Sequence, residues 1–141
     1  MDYTPIQYVA PIRPRFNDFD PYGHVNASCY LDYLVTSRWF YCAEKFGLGA
    51  QHFIDHGYGF YLVHYEVDYK RPILVKDAQV FVHSYIQSEN QQIYSVKFDI
   101  KNEADDKTHA SGLMNFAVID LKTNKRTSMP EEFIQYFWIK N

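Results

Sequence analysis

Cysteine is scarce in this chain, which has only Cys29 and Cys42 among its 141 residues. Two cysteines are too few for a disulfide framework, so we expect a reducing compartment. The opening stretch MDYTPIQYV has none of the apolar core of a signal peptide, and no apolar run approaches the roughly 18 residues of a membrane span. These absences predict a cytoplasmic protein without a membrane-spanning segment.

The chain also lacks an excess of positive over negative charge. The formal net charge is -3, the isoelectric point is near 6.0, and no run of five basic residues occurs. Proteins that bind nucleic acids are usually strongly basic, so this balance argues against nucleic acid as a partner. The chain has no internal repeat or low-complexity linker, and its length predicts one domain over residues 1–141.

The first strong periodic pattern in the chain is helical and begins near Asn26. From there to Gly47, apolar residues recur mainly at every third or fourth position. Asn26 is a good candidate for the N-cap, and Gly47 is a plausible end. Because the segment is apolar around much of its circumference, we expect a helix that is covered on more than one side.

Alternation with a period of two dominates the rest of the chain. It predicts four strands, at about residues 61–69, 77–88, 94–101 and 108–120. Residues 7–18 also look extended, and their prolines are typical of an edge strand. Short turns favour sequential antiparallel pairing. The economical arrangement is an α+β fold, in which a curved antiparallel sheet wraps around one long central helix.

Residues 17–26, NDFDPYGHVN, place acids, a glycine and a histidine directly before the predicted helix. Unpaired N–H groups at a helix N-terminus can stabilise an oxyanion that forms on a carbonyl. Asp20 could attack that carbonyl or activate a water, and His24 could orient the acid or bond a leaving group. Gly23 would let a ligand approach the backbone. These parts suit acyl transfer or hydrolysis, although an Asp at such a place is more often a turn former.

Several other residues have a simpler interpretation than a catalytic one. His52 and His56 have the spacing of zinc ligands, but no third ligand is obvious, so we expect no metal site. Cys29 fits a small buried hydrophobe better than a nucleophile. We expect Asp18 to brace the turn and Arg38 to pair with an acid in the core or at an interface.

Residues 15–41, RFNDFDPYGHVNASCYLDYLVTSRWFY, resemble the opening signature of the hotdog-fold thioesterases. The similarity is to the branch with the 4-hydroxybenzoyl-CoA and acyl-acyl-carrier-protein thioesterases. The matching elements are Asp18-x-Asp20, the GHVN of residues 23–26, Tyr30 and Arg38. Residues 64–82 resemble the segment that follows the helix in that family. The resemblance covers nearly the whole chain and agrees with the predicted order of elements.

The resemblance implies a hotdog fold and hydrolysis of an acyl thioester, most simply an acyl-CoA, with Asp20 as the catalytic carboxylate. The backbone N–H of Asn26 or Ala27 would polarise the thioester carbonyl. CoA would enter as part of the substrate, with no metal and no other cofactor. The remaining expected contacts with substrate are Gly23, Val25, Lys70 and Arg71. The last two would meet the phosphates of CoA, although a solvated strand end is the commoner role of such residues.

The resemblance also implies assembly, because this family usually forms dimers or tetramers with sites at subunit interfaces. We therefore expect a homodimer or homotetramer. Some branches place an acid on the helix of the next subunit, and the acids that this chain offers on that helix are Asp32 and Glu44. Three alternatives stay open: an acyl-acyl-carrier-protein thioesterase, a hotdog hydratase or dehydratase that uses His24 with Asp20, and a non-catalytic acyl-binding subunit.

Overall fold

The computed structural model describes residues 2–90 and 92–141. Within them the strands are β1 (Tyr3–Pro5), β2 (Tyr8–Ile12), β3 (Tyr58–Tyr69), β4 (Val80–Asn90), β5 (Ile93–Asn102), β6 (Thr108–Asp120), β7 (Lys125–Arg126) and β8 (Trp138–Lys140). The helical segments are a 3-10 turn (Phe16–Asp18), α1 (Cys29–Thr36), a π-helical segment (Ser37–Tyr41), α2 (Cys42–Phe46), α3 (Ala50–Asp55) and α4 (Glu131–Ile134). We call the continuous run over 29–46 the central helix.

The main sheet is antiparallel, with the strand order β2-β4-β5-β6-β3 and a short β7 beside β6. Its edges are therefore β2 and β3. The expected edge strand is confirmed over residues 8–12, whereas 16–18 form the 3-10 turn instead. β1 and β8 form a separate two-stranded sheet.

The prediction of sequential pairing is wrong for β3. The strands from β4 to β7 pair in chain order, while β3 pairs with β6 at the far side of the sheet. The predicted second strand began at residue 77, but β4 begins at Val80, so the connection over 70–79 is longer than a hairpin turn. It carries Pro72 and passes close to the turn before the central helix, where Leu74 pairs with His24.

The central helix begins later than Asn26. Its N-cap is Ser28, because Asn26 is used in a preceding turn: its Oδ1 accepts from the backbone N–H of Ser28 at 3.2 Å. Ser37 donates from its hydroxyl to the carbonyl of Leu34 at 2.7 Å, at the point where the π-helical segment begins. Gly47, in the left-handed region with φ of +69°, follows the last helical residue as predicted.

The core lies between the sheet and the central helix. Every second residue of β5 is buried, and Tyr30, Tyr33 and Leu34 supply the buried positions of α1. Burial of each large apolar side chain is worth about 1.5–3 kcal/mol, so this contact holds the helix to the sheet. Its N-terminal end is thereby placed against the 70–79 connection, where the backbone N–H of Val25 donates to Ile73 O at 2.9 Å.

The remaining elements follow the predicted order. Residues 103–107, EADDK, separate β5 from β6, and α4 follows Pro130, which is its N-cap. The polar stretch SENQQ over 88–92 is typical of a turn, but it includes residue 91, which lies outside the described residues. In the described part of the chain, no helix has the length and apolar character needed to cross a membrane.

Candidate active site

Asp20 closes the turn that leads into the central helix. Its Oδ1 accepts hydrogen bonds from the backbone N–H groups of Tyr22 at 2.9 Å and His24 at 3.0 Å. The interpretation of Asp20 as a turn former is therefore correct for one carboxylate oxygen. The structure shows no hydrogen bond from the described residues to its Oδ2. The carboxylate is thus held in place through one oxygen while the other remains available for chemistry.

Gly23 allows this turn to be tight. Its φ of +78° lies in the left-handed region, which glycine adopts without strain. No neighbouring atom lies within 4 Å of the place where a Cβ would stand, so the requirement is conformational rather than one of space. The N–H of Gly23 donates to Asp20 O at 3.0 Å, and the N–H of Asp20 donates to His24 O at 2.7 Å.

Asp18 braces the turn from the inside. It is buried, and its Oδ2 accepts from the hydroxyl of Tyr33 at 2.6 Å and from the backbone N–H of Arg15 at 2.9 Å. The Arg15 guanidinium also pairs with its Oδ1 at 3.2 Å. Burial alone would raise the pKa of Asp18, but the hydrogen bonds from Tyr33 and Arg15 outweigh it and hold the pKa below 3.8. The structure agrees with the expected bracing role.

The backbone N–H groups of Asn26 and Ala27, which were expected to face the substrate, differ in their hydrogen bonding. The N–H of Asn26 donates to Asp18 O at 2.7 Å, inside the fold. For the N–H of Ala27, the structure shows no hydrogen bond to any described residue. Ala27 is therefore the donor left available at the start of the central helix.

A cleft of about 340 Å³ opens beside this turn. Most of the predicted site residues line it, namely Asp20, His24, Val25, Ala27, Lys70 and Arg71. Gly23 and Asn26 do not line the cleft and act through the shape of the turn. The structure thus brings together residues that are about fifty positions apart in the chain, because the 70–79 connection packs against the turn.

Sequence reasoning gave no site role to three lining residues: Tyr30, Tyr69 and Pro72. The hydroxyl of Tyr69 donates to Ala27 O at 3.2 Å, and its ring meets that of Tyr30 edge to face with centroids 4.9 Å apart. Burial raises the pKa of Tyr30. Their signal in the sequence was weak, since Tyr30 matches the helical pattern and Tyr69 the strand pattern whether or not a site is present.

The basic residues of the cleft, Lys70 and Arg71, follow directly after β3. The Arg71 guanidinium makes two parallel contacts with Asp105, Nη1 to Oδ2 at 3.0 Å and Nη2 to Oδ1 at 3.1 Å. Hydrogen bonding from Arg71 lowers the pKa of Asp105 to about 2. Lys70 is exposed. Arg71 is thus a fixed cation and Lys70 a solvated one at the same wall of the cleft.

This wall is attached to a buried polar network. The backbone N–H groups of Lys70 and Arg71 donate to His109 O at 2.8 and 3.0 Å. The His109 ring is fully buried, with Nδ1 3.2 Å from Arg71 O and Nε2 3.2 Å from Asn102 Nδ2. Asn102 also donates to Asp77 Oδ1 at 2.9 Å. Since Nε2 faces a donor and Nδ1 a carbonyl, these partners assign the proton to Nδ1.

Other candidate residues lie away from the cleft. His52 and His56 pack in an aromatic cluster with Phe53 and Phe133, and His56 Nδ1 lies 2.8 Å from His52 O. Over residues 2–90 and 92–141, no group of three or more His, Cys, Asp or Glu side chains is placed to hold a metal ion.

The remaining helix residues also stand apart from the cleft lining. Burial raises the pKa of the Cys29 thiol, which works against a thiolate nucleophile. Asp32 is exposed and lies 3.7 Å from the Arg15 guanidinium. Glu44 is exposed on α2. Neither acid lines the cleft of this chain.

Arg38 has a different environment from the one expected. It is buried, but it forms no ion pair with an acid of the described residues. Its Nη1 donates to the hydroxyl of Ser84 at 3.2 Å, and its guanidinium carbon lies 4.5 Å from the ring centroid of Tyr8. The expected pairing with a core acid is wrong, because β2 and β4 place the Tyr8 ring and the Ser84 hydroxyl there. Pairing with an acid across an interface stays a prediction.

The family model of the thioesterase-like superfamily matches residues 14–137. The chain belongs to this superfamily. Its resemblance to FadM, the long-chain acyl-CoA thioesterase of Escherichia coli (strain K12), extends over 121 residues at 29% identity. That match covers 86% of this chain and 89% of FadM.

Solved structures agree with membership of the thioesterase-like superfamily. YbaW from Escherichia coli matches with a TM-score of 0.78 at 27% identity, over 92% of this chain and 95% of YbaW. Slr0204, a 1,4-dihydroxy-2-naphthoyl-CoA thioesterase from Synechocystis, matches with a TM-score of 0.79 at 16% identity, over 92% and 94% of the two chains. These findings confirm the α+β hotdog fold and the thioesterase class that residues 15–41 indicated.

Proposed function

We propose that this protein hydrolyses acyl-CoA thioesters at the cleft beside Asp20. The observation that carries the proposal is that the two oxygens of the Asp20 carboxylate differ in their hydrogen bonding. Oδ1 is anchored by two backbone N–H groups, and Oδ2 has no hydrogen-bond partner among the described residues. The same cleft contains the uncommitted N–H of Ala27. The similarity to FadM supports acyl-CoA as the substrate class.

The chemistry needs few side chains. The thioester carbonyl would lie with its oxygen at the N–H of Ala27, where the helix N-terminus favours developing negative charge. Asp20 Oδ2 either attacks the carbonyl carbon, forming an acyl-enzyme anhydride, or takes a proton from a water that attacks. In both routes the C–S bond breaks and the electron pair leaves on the thiolate. In the first route a water then cleaves the anhydride, which releases the carboxylic acid and restores the Asp20 carboxylate. Thiols ionise near neutral pH, so the leaving group needs little protonation.

The CoA part of the substrate would meet the basic wall. Lys70 and Arg71 line the cleft at the end of β3 and suit the phosphates of CoA. Because Arg71 is paired with Asp105, its guanidinium is pre-positioned rather than ordered on binding. Lys70 would contribute as a mobile point charge.

We also propose that the protein is a homo-oligomer built on the free edge of β3. This strand has twelve residues and pairs with β6 on one side in the described chain. Tyr61, Leu62 and Val63 on it are large apolar residues that remain exposed. A long exposed apolar edge is a template for pairing with another strand, and a second copy supplies one.

The test is thiol release from a panel of aliphatic and aromatic acyl-CoAs. We expect turnover of at least one member by the wild type and a loss of about 10²–10⁴-fold in Asp20→Asn. Asp55→Asn is the matched control, since Asp55 is an exposed acid on α3 outside the cleft, and it should retain full activity. Full activity in Asp20→Asn would contradict the mechanism.

The same panel separates the alternatives. Release only from acyl-carrier-protein substrates would indicate a carrier-protein thioesterase. Addition of water to an enoyl-CoA without thiol release would indicate a hydratase. Tight acyl-CoA binding without any turnover would indicate a non-catalytic acyl-binding subunit.

A further inference from the structure

A second cavity, of about 50 Å³ and partly open to the outside, lies beside the later half of the central helix. Its volume is sufficient for a few water-sized groups. Its lining is almost entirely apolar and includes Trp39, Phe53, Phe60, Ile86 and Phe137. It shares no lining residue with the cleft beside Asp20. The charged residue of the lining is Arg38.

Arg38 is a cation without an anion in the described chain. A guanidinium has five N–H donors, and the structure shows one hydrogen bond from it to the described residues, from Nη1 to Ser84 Oγ. The ring centroids of Tyr8 and Phe137 lie 4.5 and 5.9 Å from its central carbon. These rings offset part of the cost of burying the charge, but they do not neutralise it.

The neighbouring ionisable groups do not supply negative charge. Burial raises the pKa of the Tyr8 hydroxyl to about 12 and also raises the pKa of the Cys42 thiol. Both groups are therefore neutral near pH 7. Burial lowers the pKa of Arg38 itself, yet a guanidinium stays charged in proteins. An apolar cavity with one unneutralised cation on its wall is suited to an apolar ligand that ends in an anion.

We propose that this cavity binds the carboxylate end of an apolar chain, with the carboxylate on the guanidinium of Arg38. Arg38 lies roughly 16 Å beyond Ala27 along the helix, at about 1.5 Å per residue. The carboxylate has two possible sources: the far end of a substrate chain, or a free carboxylic acid such as the hydrolysis product. The first source rests on the proposed thioesterase function. The substrates would then be dicarboxylic acids with one carboxyl group joined to CoA as a thioester and the other free.

The first experiment measures binding alone. Octanoate and 1-octanol are titrated into the full chain by isothermal titration calorimetry. We expect octanoate to bind about tenfold more tightly than octanol. The carboxylate can accept a charge-assisted hydrogen bond from Arg38, whereas the neutral hydroxyl of octanol cannot. Arg38→Met should remove this preference, and Arg38→Lys should retain part of it. Arg13→Met, which changes an exposed arginine, is the matched control and should retain the full preference.

Two outcomes would overturn the proposal. One is equal binding of octanoate and octanol by the wild type. The other is an unchanged preference in Arg38→Met, which would place the carboxylate elsewhere in the molecule. Circular dichroism verifies that each variant is folded. We expect Arg38→Met to fold, because it removes the cost of burying a charge that has no ion pair and keeps an apolar side chain of similar length.

The second experiment identifies the source of the carboxylate. The kcat/KM for a dicarboxylic half-thioester of CoA is compared with that for the plain acyl-CoA of equal chain length. A preference of about tenfold that disappears in Arg38→Met supports the substrate end. Octanoate binding through Arg38 without this preference supports the free acid. If neither thioester is hydrolysed while octanoate still binds at Arg38, the cavity assignment stands and the proposed function fails.

Discussion

Asp18 and Asp20 are two residues apart and have opposite environments. Asp18 is 3% exposed and receives the Tyr33 hydroxyl and the Arg15 guanidinium, so both of its oxygens are engaged. Asp20 is half-buried at the cleft and is anchored through Oδ1. The same side chain is thus structural in one position and available for reaction in the other. The hydrogen-bond donors around it decide which role it has.

The Tyr33–Asp18 hydrogen bond makes a prediction about stability. Tyr33→Phe removes a 2.6 Å bond to a buried carboxylate, and we expect the free energy of unfolding at pH 7 to fall by roughly 2 kcal/mol. Tyr61→Phe, at an exposed tyrosine, should change it by less than about 0.5 kcal/mol. Urea denaturation followed by circular dichroism measures both. A neutral Tyr33→Phe would show that the hydrogen bond does not stabilise the turn.

The same pair predicts a pH dependence. The pKa of Asp18 is held below 3.8 in the folded state, so its contribution is fully present above that value. The contribution is lost as the pH falls through the folded pKa and the carboxylate is protonated. The difference in unfolding free energy between wild type and Tyr33→Phe should therefore shrink from pH 7 towards about pH 3. A difference that stays constant over this range would contradict the assignment.

At the scale of elements, Gly112 governs how closely β3 approaches β6. A Cβ at Gly112 would lie 2.0 Å from the carbonyl oxygen of Glu66, a distance at which the backbone must move. We expect Gly112→Ala to destabilise the protein by about 2–4 kcal/mol, as measured by denaturation. Since β3 ends at Tyr69 in the cleft, activity should fall as well.

The control for this substitution is Gly49→Ala. A Cβ at Gly49 would meet Ala43 Cβ at 3.5 Å, an ordinary contact, and Gly49 is the N-cap of α3. The expected loss is at most about 1 kcal/mol. Equal losses in the two variants would mean that glycine flexibility matters here and the approach of the strands does not.

Much of this arrangement could be predicted from the sequence, but not the pairing of its elements. The predicted bounds of β6, residues 108–120, agree with the structure, because alternation and turn residues are local signals. The neighbour of β3 was not predicted, since alternation reports which face is buried and gives no information about the adjacent strand. For the same reason a local motif indicated Asp20 as a candidate, whereas the position of Tyr69 at the cleft depends on the β3–β6 pairing.

At the scale of the whole molecule, the two edges of the main sheet provide a matched test of assembly. Val63 on β3 is 46% exposed and Val9 on β2 is 44% exposed. If copies join through β3, Val63→Lys should dissociate the oligomer, because a buried unpaired ammonium is costly at an interface. Val9→Lys should leave it intact. Analytical ultracentrifugation measures the mass of each. Dissociation by Val9→Lys alone would place the interface at the opposite edge.

The π-helical segment over Ser37–Tyr41 has a consequence for how chains of this kind diverge. A π turn holds one more residue than an α turn between the same two ends, so a single deletion within it would restore regular α-helix. Side chains there would rotate by about 100° while both ends of the helix stayed in place. Arg38 and Trp39 lie in this segment and on the cavity wall. Deletion of one residue would therefore change which side chains line the cavity and leave the Asp20 turn unchanged.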